Sequence, residues 1–247
     1  MAVPDEMILT FTDFGTRGPY LGQMEMTLRL AAPGVAVIHL LADAPTFDPR
    51  ASAYLLAAVT DRVPAGSVVL GVVDPGVGGR RAPLAVLADG RWFVGPDNGL
   101  FELVMRRAAD VRAWEIVWRP DRLSATFHGR DLFAPVAARL ALGEAPEAIG
   151  CVEVSPPRRP DWPDDLAAVI YLDHYGNAWS GLRETAVATA AVIGVGGLRL
   201  SRARTFEDVG AGKAFWHVNS SGLAEIAVSG GRADHLEGIA CGTPIAF

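Results

Sequence analysis

The sequence predicts an α/β domain followed by a small all-β domain. Three observations predict it. Short β-branched runs alternate with helical patterns through the first two-thirds of the chain, a charged proline-rich stretch then interrupts them, and only short strands separated by Gly, Asn and Ser turns follow.

The runs MILTFTDF (Met7 to Phe14), VAVIHLL (Val35 to Leu41), SVVLGVVD (Ser67 to Asp74) and APLAVLAD (Ala82 to Asp89) read as buried strands. Apolar residues spaced three to four apart predict helices over Leu21 to Ala31 and Arg50 to Val59. Two more are predicted, from Leu100 to Ala109 and from Asp131 to just before Gly143. The stretch SPPRRPDWPDD, Ser155 to Asp165, holds four prolines, and neither a strand nor a helix can run through it. It divides the chain into an α/β domain (1–155), a linker (156–165) and a β-barrel-like domain (166–247).

With 28 acidic and 22 basic side chains and no basic run, the chain lacks the electrostatic footprint of a nucleic-acid binder, so a small-molecule partner is expected. The N-terminus, MAVPDEMILTF, lacks a positive n-region and a cleavage site, and no apolar stretch is long enough to span a bilayer. A cytoplasmic protein without membrane contact is therefore expected. Cys151 and Cys241 stand outside any metal-binding or redox spacing and read as two buried thiols, with neither a disulfide nor a zinc site.

Polar residues gather at strand ends and glycine-rich turns, where ligands bind in α/β sheets. In TDFGTRGPY, Asp13 either caps the following helix or meets a ligand. In VVDPGVGGRR, Asp74 ends an apolar strand and needs a partner, because burying an unpaired charge costs several kcal/mol. It is either half of a structural pair with an arginine or part of a site whose glycines let the backbone approach something closely. In ATFHGRD, His128 precedes a glycine at a helix start. Asp74, Arg81 and His128 together supply a carboxylate, a fixed cation and a titratable ring, from which a water-activating site can be built. LDHYGNAW and NSSG add Asp173, Asn177, Trp179 and the run Asn219 to Gly222, which turn formation alone could also explain. No HExxH, EF-hand or other metal-ligand spacing is present, so no metal is expected.

Taken in order, TDFG, DPGVG followed by Arg81, PDNG (Pro96 to Gly99), FHGRD, D-x-x-G-N and NSxG resemble the S-adenosyl-L-methionine (SAM) hydroxide adenosyltransferases, relatives of the fluorinating and chlorinating enzymes. The resemblance runs from about Met7 to about Gly230. It implies an α/β domain with a central mixed sheet, a β-barrel-like second domain, and a homotrimer with SAM bound between the N-terminal domain of one subunit and the C-terminal domain of its neighbour. It implies hydrolysis of SAM to adenosine and L-methionine, without a cofactor, by Asp74, Arg81 and His128. It places Asp13 on the ribose hydroxyls, Asp173 on the methionine ammonium and Ser220 on the carboxylate. Asn177 and the backbone around Ser229 would meet the adenine edge, with Phe127 and Trp179 as apolar walls and Asn98 of the PDNG turn nearby. Gly129 stands where the fluorinating relatives carry serine, and Ser221 where the halogenating ones carry a basic residue. The segment VIHLLADAPTFDP lacks the family's I-T-H and puts Ala42 and Asp43 near the substrate loop. A halide-dependent 5′-halo-adenosine synthase and a non-catalytic adenosine or SAM-binding module are the competing readings.

Overall fold

Strand β1 (Met7–Thr12) is apolar almost throughout and stops one residue short of Asp13 in the computed structural model, which describes residues 7–247. The expectation of a leaderless N-terminus concerns residues 1–6, which lie outside the described residues. The chain then forms α1 (Tyr20–Ala31), β2 (Ala36–Leu41), α2 (Pro49–Val59), β3 (Val68–Val72), β4 (Pro83–Ala88) and β5 (Arg91–Pro96). Next come α3 (Glu102–Arg107), β6 (Val111–Ile116), α4 (Ala134–Ala141), α5 (Pro146–Ile149) and β7 (Cys151–Val154). The seven strands form one sheet in the order β2-β1-β3-β5-β4-β6-β7. β2, β1, β3 and β5 run parallel, while β4, β6 and β7 pair antiparallel, so the sheet is mixed. Met24 and Leu28 of α1 and Val136, Ala137 and Leu140 of α4 join Val68, Leu70 and Val72 of β3 in one apolar cluster. Burying such side chains, each worth about 1.5–3 kcal/mol, holds the helices to the sheet.

Three strands escape the sequence reading. RWFVGP, VRAWEI and CVEV are short and carry Arg or Glu, as suits strands of the antiparallel side. VAVIHLL, read as buried, is the sheet's half-exposed edge, because only β1 flanks it. The helix expected from Asp131 begins instead as a π-helical turn, Gly129–Phe133, and continues as α4 to Ala141.

Residues 155–165 hold no helix or strand. Contacts divide the chain into two units, residues 7–56 with Arg62–Arg159, and Ala57–Asp61 with Pro160–Phe247. Arg159 stays with the first unit, its guanidinium reaching Asp97 Oδ1 (3.0 Å) and its amide Glu102 Oε2 (2.8 Å).

The second unit contains β8 (Leu166–Leu172), β9 (Ala178–Arg183), β10 (Ile193–Val195), β11 (Leu198–Leu200), β12 (Ala214–Val218), β13 (Leu223–Val228) and β14 (Ile245–Ala246). They form antiparallel sheets ordered β12-β13-β9-β8 and β11-β10-β14. Isolated bridges at Ala168–Pro244 and Arg202–Trp216 stitch the two together in a barrel-like arrangement. Trp216, Ala224, Ile226, Val228 and Ala178 point into the core between them. By the two-residue period of a strand, Phe215, His217, Glu225 and Trp179 lie on the opposite face. Cys151 is buried and its thiol is pushed up to about 11 by that burial. Cys241 is exposed, correcting the expectation of two buried thiols: it sits in a surface turn closed by the Thr243 amide on Ala240 O.

Two glycines let β3 and β5 lie flat under Phe101: a Cβ on Gly95 would stand 2.1 Å from the Gly71 carbonyl oxygen, and one on Gly71 2.9 Å from the Phe101 ring. Gly95→Ala therefore lowers stability by about 1–3 kcal/mol in urea unfolding, the usual cost of overpacking. A loss under about 0.5 kcal/mol, within the noise of an ordinary surface change, would show that the sheet yields freely there.

Candidate active site

Asp74 lies two residues beyond β3, at the carboxyl end of a strand whose every residue is buried. The turn from Asp74 to Arg81 doubles back so that the guanidinium meets the carboxylate from its own side. Arg81 Nε donates to both Asp74 oxygens at 3.0 Å, and Nη2 donates to Oδ2. The side chains are only 4% (Asp74) and 10% (Arg81) exposed, so neither charge could be buried without the other. Asn98 fixes the base of this turn, its Nδ2 donating to Val73 O (2.8 Å) and its Oδ1 accepting from the Leu100 amide (3.2 Å). Gly78 sits at φ 77°, and a Cβ there would lie 2.4 Å from Ala125 O. Only glycine lets this turn rest on the 124–126 segment, and that contact carries His128 to Arg81.

Arg81 Nη2 donates to His128 Nδ1 at 2.9 Å. A guanidinium has no acceptor, so Nδ1 carries the lone pair and the proton of the neutral ring is on Nε2. Burial, and then the Arg81 charge, hold the imidazole below its ordinary range, with Asp74 opposing. The ring is thus a neutral donor through Nε2. A π-helical turn begins immediately after it, a distortion frequent at functional sites. The rest of FHGRD anchors it: Arg130 pairs with Asp131 (2.6 Å) and reaches Gln23 Oε1 on α1 (3.0 Å), while Asp131 Oδ2 accepts from the Ser124 amide (2.9 Å). A cavity of about 350 Å³ opens here, lined by Gly78, Gly79, Arg81, Arg119 and His128 among others.

Asp13 does not cap α1, whose N-cap is Pro19 without a side-chain bond. Its Oδ2 accepts from the Phe47 amide at 3.0 Å. Burial, opposed by that bond and helped by the nearby Asp74 charge, raises its carboxyl above the usual range. Phe47, which the sequence reading passed over, is 73% exposed and holds φ 58°, an uncommon conformation for an aromatic residue. The departing segment is tied to β1 all the same, through Gly15 N to Ala42 O (2.6 Å) and Ala44 N to Thr12 O (3.0 Å), with Asp43 exposed between them. Phe127 is buried, edge-on to Phe14 (5.7 Å) and Tyr20 (5.3 Å). A Cβ on Gly129 would stand 3.2 Å from the Phe14 ring and 3.4 Å from Phe127, so the aromatic wall leaves little room for a side chain.

The second unit holds a separate cavity of about 620 Å³, which gathers Asp173, Asn177, Trp179 and Ser220. Asp173 closes the turn: Oδ1 accepts from the Asn177 amide (2.9 Å), and Oδ2 from Asn177 Nδ2 (3.3 Å) and Trp179 Nε1 (3.4 Å). Neither Ser221 nor Ser229 is among the cavity's lining residues. The Ser221 amide donates to Asn219 Oδ1 (3.0 Å). Ser229 spends its amide on Lys213 O, its carbonyl on the Gly212 amide and its hydroxyl on Phe206 O, and the neighbouring Gly230 and Gly231 line the cavity instead. His217 and Glu225 also line it, and both were missed. The available signal was the alternation in AFWHV and LAEIAV, which sets them opposite the core-facing residues. Among the described residues no group of His, Cys, Asp and Glu is arranged to hold a metal.

Family models match the chain in two parts, the SAM hydroxide adenosyltransferase N-terminal domain over residues 8–150 and its C-terminal domain over residues 167–246. The (R)-S-adenosyl-L-methionine hydrolase of Thermus thermophilus is 38% identical over 260 residues, covering 95% of this chain and 96% of that protein. A fluorinase of Actinopolyspora mzabensis is 27% identical over 220 residues, covering 76% of this chain and 73% of that one. The crystal structure of an uncharacterized conserved protein from Thermotoga maritima matches with a TM-score of 0.87 at 28% identity, over 97% of this chain and 98% of that one.

Nitrogen-15 NMR of the histidine rings is expected to show His128 as the Nε2–H tautomer at pH 7, with a titration midpoint below that of an ordinary histidine. Arg81→Met removes a repelling cation, so the midpoint moves up. A midpoint that stayed put would mean that Arg81 does not govern the ring.

Proposed function

Because the chain belongs to the SAM hydroxide adenosyltransferase family, we propose that it hydrolyses SAM to adenosine and L-methionine with Asp74, Arg81 and His128 as the catalytic group. The observation that carries this is the Arg81 bridge, which holds the Asp74 carboxylate and the His128 ring on one guanidinium. A water between them accepts a hydrogen bond from His128 Nε2–H and donates one to Asp74, leaving a lone pair for the ribose 5′ carbon. In-line SN2 attack forms the oxygen–carbon bond as the carbon–sulfur bond breaks, and the sulfur takes that electron pair to leave as the neutral thioether of methionine. The water's proton passes to Asp74 and then to solvent. With a sulfonium as leaving group, placing the water supplies much of the acceleration and no cofactor or metal is needed.

A carboxylate beside the attacking position can take the proton of a water, whereas a halide brings no proton and is repelled by it. That favours water over the halide-dependent reading. Asp13 serves the ribose hydroxyls, Phe127 and the bare Gly129 position form the wall against the sugar, and Asn98 holds the Asp74 turn. In the second unit Asn177 and the backbone beside Ser229 read the adenine, Trp179 is an apolar wall, and Asp173, Ser220 and Ser221 lie around the methionine end. The relative from Thermus thermophilus is named for the R configuration at sulfur, and we extend that preference to this chain. We further place the protein in the cytoplasm as a homotrimer, with substrate held between neighbouring subunits. Supporting this, no helix among the described residues is long and apolar enough to cross a membrane. Edge strand β2 exposes Ile38, and α1 beside it exposes Met26 and Leu30, an apolar edge that a second copy would cover.

Incubation with SAM in oxygen-18 water without halide is expected to yield labelled adenosine and methionine in equal amounts; product formed only after chloride is added would overturn the reading in favour of the halogenating one. Asp74→Asn and His128→Ala each lower kcat by about 10²–10⁴-fold while SAM still binds, and a variant keeping most of its turnover would remove that residue from the catalytic group. Because His128 must stay neutral to accept from Arg81, kcat/KM falls only as pH drops below the ordinary histidine range. Light scattering is expected to return three times the 26.1 kDa subunit mass, and a monomer that turns over SAM would sink the shared site.

A further inference from the structure

The 350 Å³ cavity beside His128 is lined by arginines and by no carboxylate, in a chain that carries 28 acidic and 22 basic side chains. Arg81, Arg119 and His128 form its polar walls, and Leu123 and Leu132 add apolar surface. Asp13, Asp74 and Phe127 do not line it, so it is a space apart from the one proposed for the ribose. Its volume lies within the range of small-molecule pockets.

Arg119 follows β6, and its Nη1 donates to Ile116 O (2.6 Å) and Trp118 O (2.8 Å), so backbone carbonyls hold the guanidinium in place. A guanidinium donates from each nitrogen and accepts at none. Among the described residues Nε and Nη2 of Arg119 have no hydrogen-bond partner, and the side chain forms no ion pair. Other arginines are matched by a carboxylate, Arg139 by Glu144, Arg183 by Asp165 and Arg232 by Asp234. Arg81 spends Nε and Nη2 on Asp74 and His128, and its Nη1 has no partner among the described residues. Two guanidinium groups with donors to spare on one cavity suit an oxyanion, whose oxygens accept charge-assisted hydrogen bonds from such forks.

We propose that this cavity is a binding site for an oxyanion of the phosphate class, anchored by Arg119 and shared with Arg81, and that its occupancy is felt by the catalytic group. The binding is independent of the hydrolase reading, whereas the effect on turnover rests on it. The charges acting on His128 are Arg81 and Arg119, which oppose its protonation, and Asp74 and Asp131, which favour it. An anion in the cavity joins the second pair. The midpoint of the ring rises, and the neutral fraction that can accept from Arg81 falls. Phosphate is thereby an inhibitor that acts without displacing SAM.

The probe is inorganic phosphate, titrated by calorimetry at constant ionic strength in sodium chloride, with and without saturating adenosine. The wild type is expected to bind it saturably in both conditions. Arg119→Gln weakens binding about 10- to 100-fold, the usual weight of a hydrogen bond to a charged group, while Arg199→Gln, which removes an exposed cation of the second unit, leaves it unchanged. By nitrogen-15 NMR, phosphate moves the His128 midpoint up in the wild type and not in Arg119→Gln. In turnover of SAM it lowers kcat with KM changed little. No saturable binding, binding lost on adding adenosine, or equal binding by Arg119→Gln would overturn the site. A His128 midpoint that stays put, or a rise in KM alone, would overturn the link to the catalytic group. If SAM is not hydrolysed but phosphate binds and displaces the His128 midpoint, the hydrolase reading fails and the anion site stands. Should Arg119→Gln not fold, Ala125→Glu, which sets a carboxylate on an exposed lining position of the same cavity, is expected to weaken phosphate binding by the same factor.

Discussion

Asp74 and Arg81 can be buried only together, and the geometry of the first unit's candidate site follows from that constraint. Removing the arginine would strand a carboxylate that is 4% exposed, and removing the carboxylate would strand a guanidinium nearly as enclosed. Paired, they present a fixed fork. His128 docks on it through Nδ1, and that bond settles its tautomer. The surrounding sequence serves the same end: Asn98 pins the strand end, Gly78 brings the two loops into contact, and the Arg130–Asp131 pair ties the histidine's own loop to α1 and Ser124.

The two units offer different surfaces. The first holds a rigid charge pair at the carboxyl ends of parallel strands, where α/β sheets place their ligands, and the proposed water activation rests on it. The second gathers polar side chains on the non-core face of an antiparallel sheet, and the proposed recognition of substrate rests on them. Asp13 lies by the first, its carboxylate oriented by the Phe47 amide rather than by Arg81.

Much of this was legible in the sequence because it is local. Asp74 at the end of an apolar run, the glycines after it and His128 ahead of a helix are patterns within a few residues, and the order of motifs tied them together. Where long-range pairing decides, the sequence was silent. RWFVGP and VRAWEI become strands because β4 lies between them, and VAVIHLL is an edge because nothing pairs beyond it. Glu225 reads as a surface residue until β12 and the Phe206 turn are seen to cover it. Asp13 could not be told from a helix cap without its contact to a residue 34 positions away. Ser229 looked available from its motif, yet its backbone belongs to a pairing with residues 212–213 that spacing does not reveal.

The two-sided burial of β13 also bears on how the second unit reaches its native form. A one-residue slip in a strand exchanges its faces, and here it would drive Glu225 into the apolar core and turn Ile226 into the wet cavity. Misregistered pairings with β9 or β12 are therefore penalised by a charge as well as by lost packing. The same carboxylate that faces the cavity in the finished protein acts during folding as a register pin for the sheet that carries it.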